Sequence, residues 1–306
     1  MIDILIATYN GEAYLREQIE SILAQTVQEF RILARDDGST DSTMVILDEY
    51  SKKTNKLSIL DKKTDTRGAA KNFFCLMDSS TSDYVMFSDQ DDYWLPNKIE
   101  ILLQRMVELE NEYGENCPIL VYSDYQIVGD NLEHIFYNEI GNMVYNHHTE
   151  LSRLLIQNYV TGCTMMVNRK LCQIASVNYS EQILMHDWWM ALCASAMGKI
   201  SFCDRVTTLY RQHSSQVVGA IDVKNINYVV SKFLNPETKN QDKKCYRQAK
   251  YFLKCYQDML HNQEKEIVEQ FANILQHNKV RRIYILMNGK YLKSSFLRIL
   301  GQIINA

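Results

Sequence analysis

The residues that could do chemistry sit in short clusters. Asp89, Gln90, Asp91 and Asp92 follow an apolar run ending at Phe87-Ser88. In an extended segment the period of two puts Asp89 and Asp91 on one side, so two hard oxygen ligands can face one divalent cation, Mg²⁺ or Mn²⁺, with a diphosphate completing its shell. Three carboxylates this close repel one another unless a cation intervenes, and Asp92 has the alternative of a solvated turn. A second acidic loop, Asp36-Asp37-Gly38-Ser39-Thr40-Asp41, offers Asp37 as an acceptor for the imide N–H of uracil or thymine, with Asp41 a helix cap and Gly38 the turn. Asp187, in His186-Asp187-Trp188-Trp189, is either a cap or a general base. Of the two tryptophans beside it, one is expected in the core and the other along an acceptor cleft. His213 could ligate the metal, bond a diphosphate or lie on the surface, and His147-His148 reads as loop.

Elements must bring these clusters together. Over the first 125 or so residues, short apolar runs at 2–6, 31–34, 57–60, 84–88 and 119–122 alternate with amphipathic runs at 13–25, 42–52, 69–78 and 97–112, a βαβα pattern. Pro96 stands just before the last of these helices. Loops at the carboxyl ends of neighbouring parallel strands converge on the ligand crevice of an open α/β sheet. The first two such loops are Ala7 to Glu12 and Asp36 to Asp41. No G-x-G-x-x-G follows the first strand and no G-x-x-x-x-G-K-[ST] occurs, which disfavours a dinucleotide dehydrogenase and a P-loop NTPase. From 126 to about 213 the pattern is less regular, with strands expected at 163–168, 200–203 and 207–210 and a helix at 187–197. Beyond Gly219 helical patterns dominate, at 224–233, 242–260 and 264–276, with a strand expected at 282–287. The expected division is therefore 1–219 (a nucleotide-binding half, 1–125, and an acceptor and catalytic half, 126–219) and a mainly helical region, 220–306.

The chain of 306 residues carries 33 Lys+Arg against 37 Asp+Glu, a net charge of −4, and is 46% hydrophobic, which excludes disorder and a minimal disulfide scaffold. A sequence pI near 6.0 lacks the basic footprint of a nucleic-acid binder. The eight cysteines are scattered without a C-x-x-C pair and read as reduced residues of a cytoplasmic protein. Residues 1–6 read as a strand and not as a signal peptide, and no apolar run approaches the ~18 residues of a membrane span. The segment from Lys279 onward is different: Lys279, Arg281, Arg282, Lys290, Lys293 and Arg298 stand among apolar residues with no acid. It reads as a patch for anionic lipid at the inner face of the plasma membrane, as a solvated helix face, or as a homodimer contact.

Together, Thr8-Tyr9-Asn10-Gly11-Glu12, Asp36 to Asp41, Arg67-Gly68 with Lys71-Asn72, Ser88 to Trp94 as a D-x-D element, Thr161 to Thr164, His186 to Trp189 and Tyr210-Arg211-Gln212-His213 resemble glycosyltransferase family 2. The resemblance implies a GT-A fold, a Rossmann-like mixed sheet that binds a nucleotide sugar, over about the first 220 residues. It implies that Thr8, Tyr9, Asn10, Glu12 and Asp37 hold the nucleoside, and that Arg67, Lys71, Asp89 and Gln90 lie along the rest of the donor. It further implies that Asp91, with Asp89 and His213, serves the metal, that Asp187 is the base of an acidic pair whose first member is here His186, and that Gly162, Trp188 and Trp189 face the acceptor. The variant motifs look most like the rhamnosyltransferase branch that builds bacterial cell-surface polysaccharides. That branch implies dTDP-L-rhamnose as donor and a lipid-linked oligosaccharide as acceptor. The alternatives are a UDP-hexose transferase of the same fold and a catalytically silent scaffold.

Overall fold

Strand β1 (Ile2–Thr8) lies third from one edge of an eight-stranded sheet, where strict alternation sends Ile2, Ile4 and Ile6 into one core and Leu5 into the other. The computed structural model describes residues 1–61, 67–134, 147–176, 179–212 and 236–306. The strand order is β3-β2-β1-β4-β7-β6-β8-β5, with β2 (Phe30–Asp36), β3 (Leu57–Ile59), β4 (Tyr84–Ser88), β5 (Tyr93–Trp94), β6 (Ile119–Val128), β7 (Met165–Asn168) and β8 (Lys199–Arg211). Strands β3, β2, β1 and β4 run parallel, β7 runs antiparallel to both its neighbours, and β6 pairs parallel with β8. The carboxyl ends of β1, β2 and β4 therefore open on one edge, and β7 places the turn before it on that same edge.

Helices α1 (Leu15–Leu23), α2 (Thr43–Lys53) and α4 (Lys98–Tyr113) cover one face around Ile19, Leu47 and Leu102. On the other face lie α3 (Ala69–Ser79), α5 (Leu151–Leu154), α6 (Arg169–Ala175) and α7 (His186–Met197). The C-terminal helices α8 (Pro236–Tyr256), α9 (Asn262–Ala272), α10 (Lys279–Asn288) and α11 (Phe296–Asn305) follow, and Phe252, Phe271 and Leu286 belong to the same core as Phe73 and Trp189. Residues expected to form a strand at 282–287 are helical: Asn278 caps α10 by accepting from Arg281 N at 3.0 Å, and Ile285 and Leu286 point inward together. The strand expected from 163 starts at Met165, because 162–164 is a 3₁₀ turn, and the two strands expected at 200–210 are one, interrupted by a bulge. The helical pattern at 224–233 and the expected boundary at Gly219 fall outside the described residues. Among the described residues no helix is long and apolar enough to cross a membrane.

Candidate functional site at the carboxyl edge of the sheet

The loops after β1, β2 and β4 are tied to one another before any ligand arrives. Tyr9 N donates to Gln90 Oε1 at 2.8 Å and Gln90 Nε2 donates to Tyr9 O at 2.9 Å, so Gln90 clasps the β1 loop to the acidic loop. Asn10 Oδ1 accepts from Thr40 N at 2.9 Å, and Glu12 Oε2 accepts from Ser42 N at 2.8 Å. Thr8, expected at the nucleoside, is 1% exposed and donates its hydroxyl to Asp36 Oδ1 at 3.0 Å, so it organises the loop from within. Asp37 accepts from Arg35 Nη1 at 3.2 Å and from Gly68 N at 2.6 Å; each oxygen keeps a second lone pair for a ligand. Gly38, at φ +90°, leaves room for the Arg67 guanidinium, whose Nη2 would stand 2.8 Å from an added Cβ. Tyr9, half exposed, and Arg67 thus border an open shelf over the β1 and β2 ends. Lys71 Nζ lies 4.8 Å from the centre of the Tyr179 ring, on the α3 side of the shelf.

The acidic loop differs from its expected geometry. Residues 89–92 bend between β4 and β5, so the period of two does not apply, and Asp89 meets Asp92 and Cys163. One ligand atom from each of these three lies within 4.8 Å of the others. Asp92, offered above as a solvated residue, is wholly buried, and its Oδ2 has no hydrogen-bond partner among the described residues. Burial pushes the Asp92 carboxyl up to about 7, with the Asp91 charge adding to the rise. Asp89 is driven well above the ordinary carboxylate range by burial and by the charges of Asp92, Asp91 and Asp187. Lys98 is a buried counter-charge beside the cluster: it donates to the carbonyl of Cys163 and, at 2.8 Å, to Thr208 Oγ1, and burial lowers its ammonium to about 8. Three crowded carboxylates, Asp89, Asp91 and Asp92, with the Asp92 Oδ2 buried and unpartnered among the described residues, fit a divalent cation.

Arg211 fixes this loop from below. It is 1% exposed, donates Nε to the Asp91 carbonyl at 2.8 Å and its backbone N to Asp92 Oδ1 at 3.3 Å, and pairs with Glu17 and the Asp130 carbonyl. Arg211 and Cys163 stand inside sequence motifs that assign them no role here, and Lys98 stands in none. A buried cation beside an acidic motif leaves no local pattern, since its partners lie up to 194 residues away. His213 falls outside the described residues.

Asp187 stands in the first turn of α7, past the N-cap position that Met185 occupies. Its Oδ1 accepts from Trp188 N at 2.6 Å and its Oδ2 from Gly162 N at 3.1 Å. Burial raises it to about 6, opposed by those two hydrogen bonds. Its charge reaches Asp89, so base candidate and metal candidate share one site. His186 is buried against Phe73, rings 3.9 Å apart, with both ring nitrogens unpartnered among the described residues, and burial lowers it to about 3, which keeps it neutral. Gly162 makes room for it, because an added Cβ would lie 2.8 Å from Nε2. Neither tryptophan fits the acceptor role expected of one of them. Trp189 is wholly buried against Phe252 and Tyr256, and Trp188, 7% exposed, donates its indole N–H to the Leu154 carbonyl. Both are core because α7 is covered by α8 on one side and α5 on the other.

The family model of glycosyl transferase family 2 matches residues 3–174 of this chain. The chain belongs to that family. This glycosyltransferase is 30% identical over 227 residues, 70% of its own length and 74% of the other's, to the dTDP-rhamnosyl transferase RfbG of Shigella flexneri. It is 24% identical over 218 residues, 71% and 79% of the two chains, to the UDP-Glc:alpha-D-GlcNAc-diphosphoundecaprenol beta-1,3-glucosyltransferase WfgD of Escherichia coli. Its fold is that of GT-A enzymes: residues 1–349 of TarS from S. aureus, solved with UDP-GlcNAc, align over 99% of this chain and 88% of that one with a TM-score of 0.54 at 16% identity. The mannosyltransferase PcManGT from Pyrobaculum calidifontis, solved with GDP-Man and Mn²⁺, aligns over 94% and 72% with a TM-score of 0.56 at 14% identity.

Proposed function

We propose that this glycosyltransferase moves L-rhamnose from dTDP-L-rhamnose, with inversion, onto a lipid-linked oligosaccharide of a bacterial cell-surface polysaccharide. The observation that carries the chemistry is the meeting of Asp89, Asp91, Asp92 and Cys163 with Asp187, a carboxylate whose pKa lies near 6. The donor's nucleoside lies on the shelf between Tyr9, Asp37 and Arg67, and its diphosphate points at the acidic loop. A divalent cation held by the carboxylates of Asp89 and Asp92, with Asp91 beside them, would neutralise the leaving diphosphate, while burial and the neighbouring charges keep the Cys163 thiol protonated and out of its shell. Asp187 takes the proton of the acceptor hydroxyl as that oxygen bonds to the anomeric carbon. The bond from that carbon to the diphosphate breaks on the opposite face, and its electron pair leaves with the nucleotide. Arg211 and Lys98 hold the loop that binds the diphosphate, and neutral His186 packs behind Asp187 without competing for its charge.

The rhamnosyl donor is supported by the likeness to RfbG, and the lipid-linked acceptor by the likeness to WfgD, whose name specifies a diphosphoundecaprenol substrate. The WfgD likeness also favours a second reading, a UDP-hexose donor. For access to such an acceptor we infer that α10 and α11 rest on anionic lipid. Val280, Tyr284 and Met287 expose one face of α10, and Phe296, Leu300 and Ile304 expose one face of α11. Lys279, Arg281, Arg282, Lys290 and Arg298 surround them, while Lys293 turns inward to pair with Asp242 at 2.5 Å.

A thermal-shift panel tests the donor, because a ligand that binds only the native state stabilises it by mass action. dTDP-L-rhamnose with Mg²⁺ or Mn²⁺ is expected to raise the melting temperature more than UDP-glucose or GDP-mannose does. A larger shift with UDP-glucose selects the second reading, and no shift with any nucleotide sugar refutes both.

A further inference from the structure

We propose that Arg35 is a positioning residue for base selectivity: it holds the Asp37 carboxylate as a fixed acceptor for the imide N–H of uracil or thymine, an inference that rests on the nucleoside reading of Asp37 above. Arg35 is the penultimate residue of β2, and period two from Leu33, which packs against the core around Phe73, turns it toward α3. It is 4% exposed there, so it acts on a nucleotide through a neighbour. Arg67, over Gly38, is the exposed arginine of this edge.

Three buried side chains form the device. Arg35 Nη1 donates to Asp37 Oδ1 at 3.2 Å and to Asn72 Oδ1 at 3.0 Å, and Asn72 Nδ2 donates back to the Arg35 carbonyl at 2.9 Å. Asn72, 2% exposed in α3, thereby grips both the guanidinium and the backbone of Arg35. Asp37 Oδ2 accepts from Gly68 N at 2.6 Å, and Asp37 N donates to the Thr8 carbonyl at 2.9 Å. With a donor on each oxygen, rotation of the carboxylate is opposed and its remaining lone pairs keep one direction.

Stability alone does not call for this pair. Exchanging a buried ion pair for apolar residues of like volume is often neutral or stabilising, whereas a carboxylate buried alone turns to water or is neutralised. What the guanidinium secures is an acceptor that stays charged and in place. Uracil and thymine present a donor, N3–H, at the centre of their pairing edge, and cytosine presents an acceptor there. A fixed carboxylate accepts from the first and repels the second; a neutralised carboxyl can also donate, so it takes both.

Calorimetry in Mn²⁺ with UDP and CDP, which differ only at that edge, tests the proposal, with dTDP as a second imide base. The wild type is expected to bind UDP about tenfold or more tighter than CDP. Arg35→Met should cut that ratio about tenfold, and Arg35→Gln, which keeps a donor for Asp37 and disturbs its surroundings less, about threefold. In Asp37→Asn, whose amide can donate or accept, the ratio should already be near one, and adding Arg35→Met should leave it there. A merely structural role weakens UDP and CDP alike. A wild-type ratio in Arg35→Gln, or in a folded Arg35→Met, therefore overturns the proposal and leaves the donor reading standing. A wild type that binds UDP, dTDP and CDP equally also overturns it, and one that binds no nucleotide overturns the donor reading as well.

Discussion

A half-buried carboxylate with a pKa near 6 is mostly ionised at neutral pH yet still takes a proton readily, the balance that a general base needs. Asp187→Asn keeps the size and one of the two backbone hydrogen bonds, from Gly162 N or Trp188 N, but cannot accept the proton. Turnover is expected to fall by ~10²–10⁴ while donor affinity and melting temperature hold, and near-normal transfer by the Asn variant would falsify the catalytic role. In the wild type, kcat should rise with pH through about 6 and level off above it, because only the ionised form is the base. The acidic loop carries a second expectation. Since Asp89 gathers with Asp92 and Cys163, Asp92→Asn should weaken Mn²⁺-dependent donor binding by calorimetry at least as much as Asp91→Asn does. A loss confined to Asp91→Asn returns the metal to the Asp89–Asp91 pair that an extended loop would make.

The bend at 89–92 is set by the elements around it: β4 ends at Ser88, β5 pairs only Tyr93 and Trp94 with β8, and the backbone between them must turn. Arg211, at the far end of β8, stitches that turn, which is why a strand more than a hundred residues later decides the shape of the acidic motif. At the other end of the chain, α10 and α11 expose apolar side chains amid cations, and each Lys or Arg near an anionic surface contributes about 1 kcal/mol. Phe296→Glu with Leu300→Glu is expected to reduce co-sedimentation with phosphatidylserine vesicles severalfold without lowering the melting temperature, since both side chains face water. Unchanged co-sedimentation, or a change of oligomeric state instead, marks the face as a subunit contact.

The molecule as a whole stores the cost of its acidic site in stability. Asp89, Asp92 and Asp187 all have folded pKa values above the 3.8 of a free aspartate, so between about pH 4 and 7 the native state binds more protons than the unfolded chain. Stability then falls as pH rises across that window. His186, with a folded value near 3, and His147, lowered by burial, oppose this below pH 6.5, since there the unfolded chain is the proton binder, but these two imidazoles do not offset three carboxylates. The melting temperature in EDTA should therefore drop from pH 5 to pH 7, and Mn²⁺ should recover more of it at pH 7 than at pH 5. A melting temperature that rises with pH in EDTA and ignores Mn²⁺ would show that the cluster holds no cation.

What the sequence determined by itself was the alternation that builds the sheet, the three loops at its carboxyl edge and the ordered motifs of the family. Each is written in neighbouring residues: period two in Ile2, Ile4 and Ile6, turn chemistry in Gly38, and acidic clustering in Asp89 to Asp92. Tertiary structure decided which acids meet, that Trp188 and Trp189 are core, that 282–287 is helix, and that Lys98, Cys163 and Arg211 lie against the acidic loop. The reason is range. Burial, a counter-charge and a shared ligand position depend on which distant segments pack together, and no local period records that.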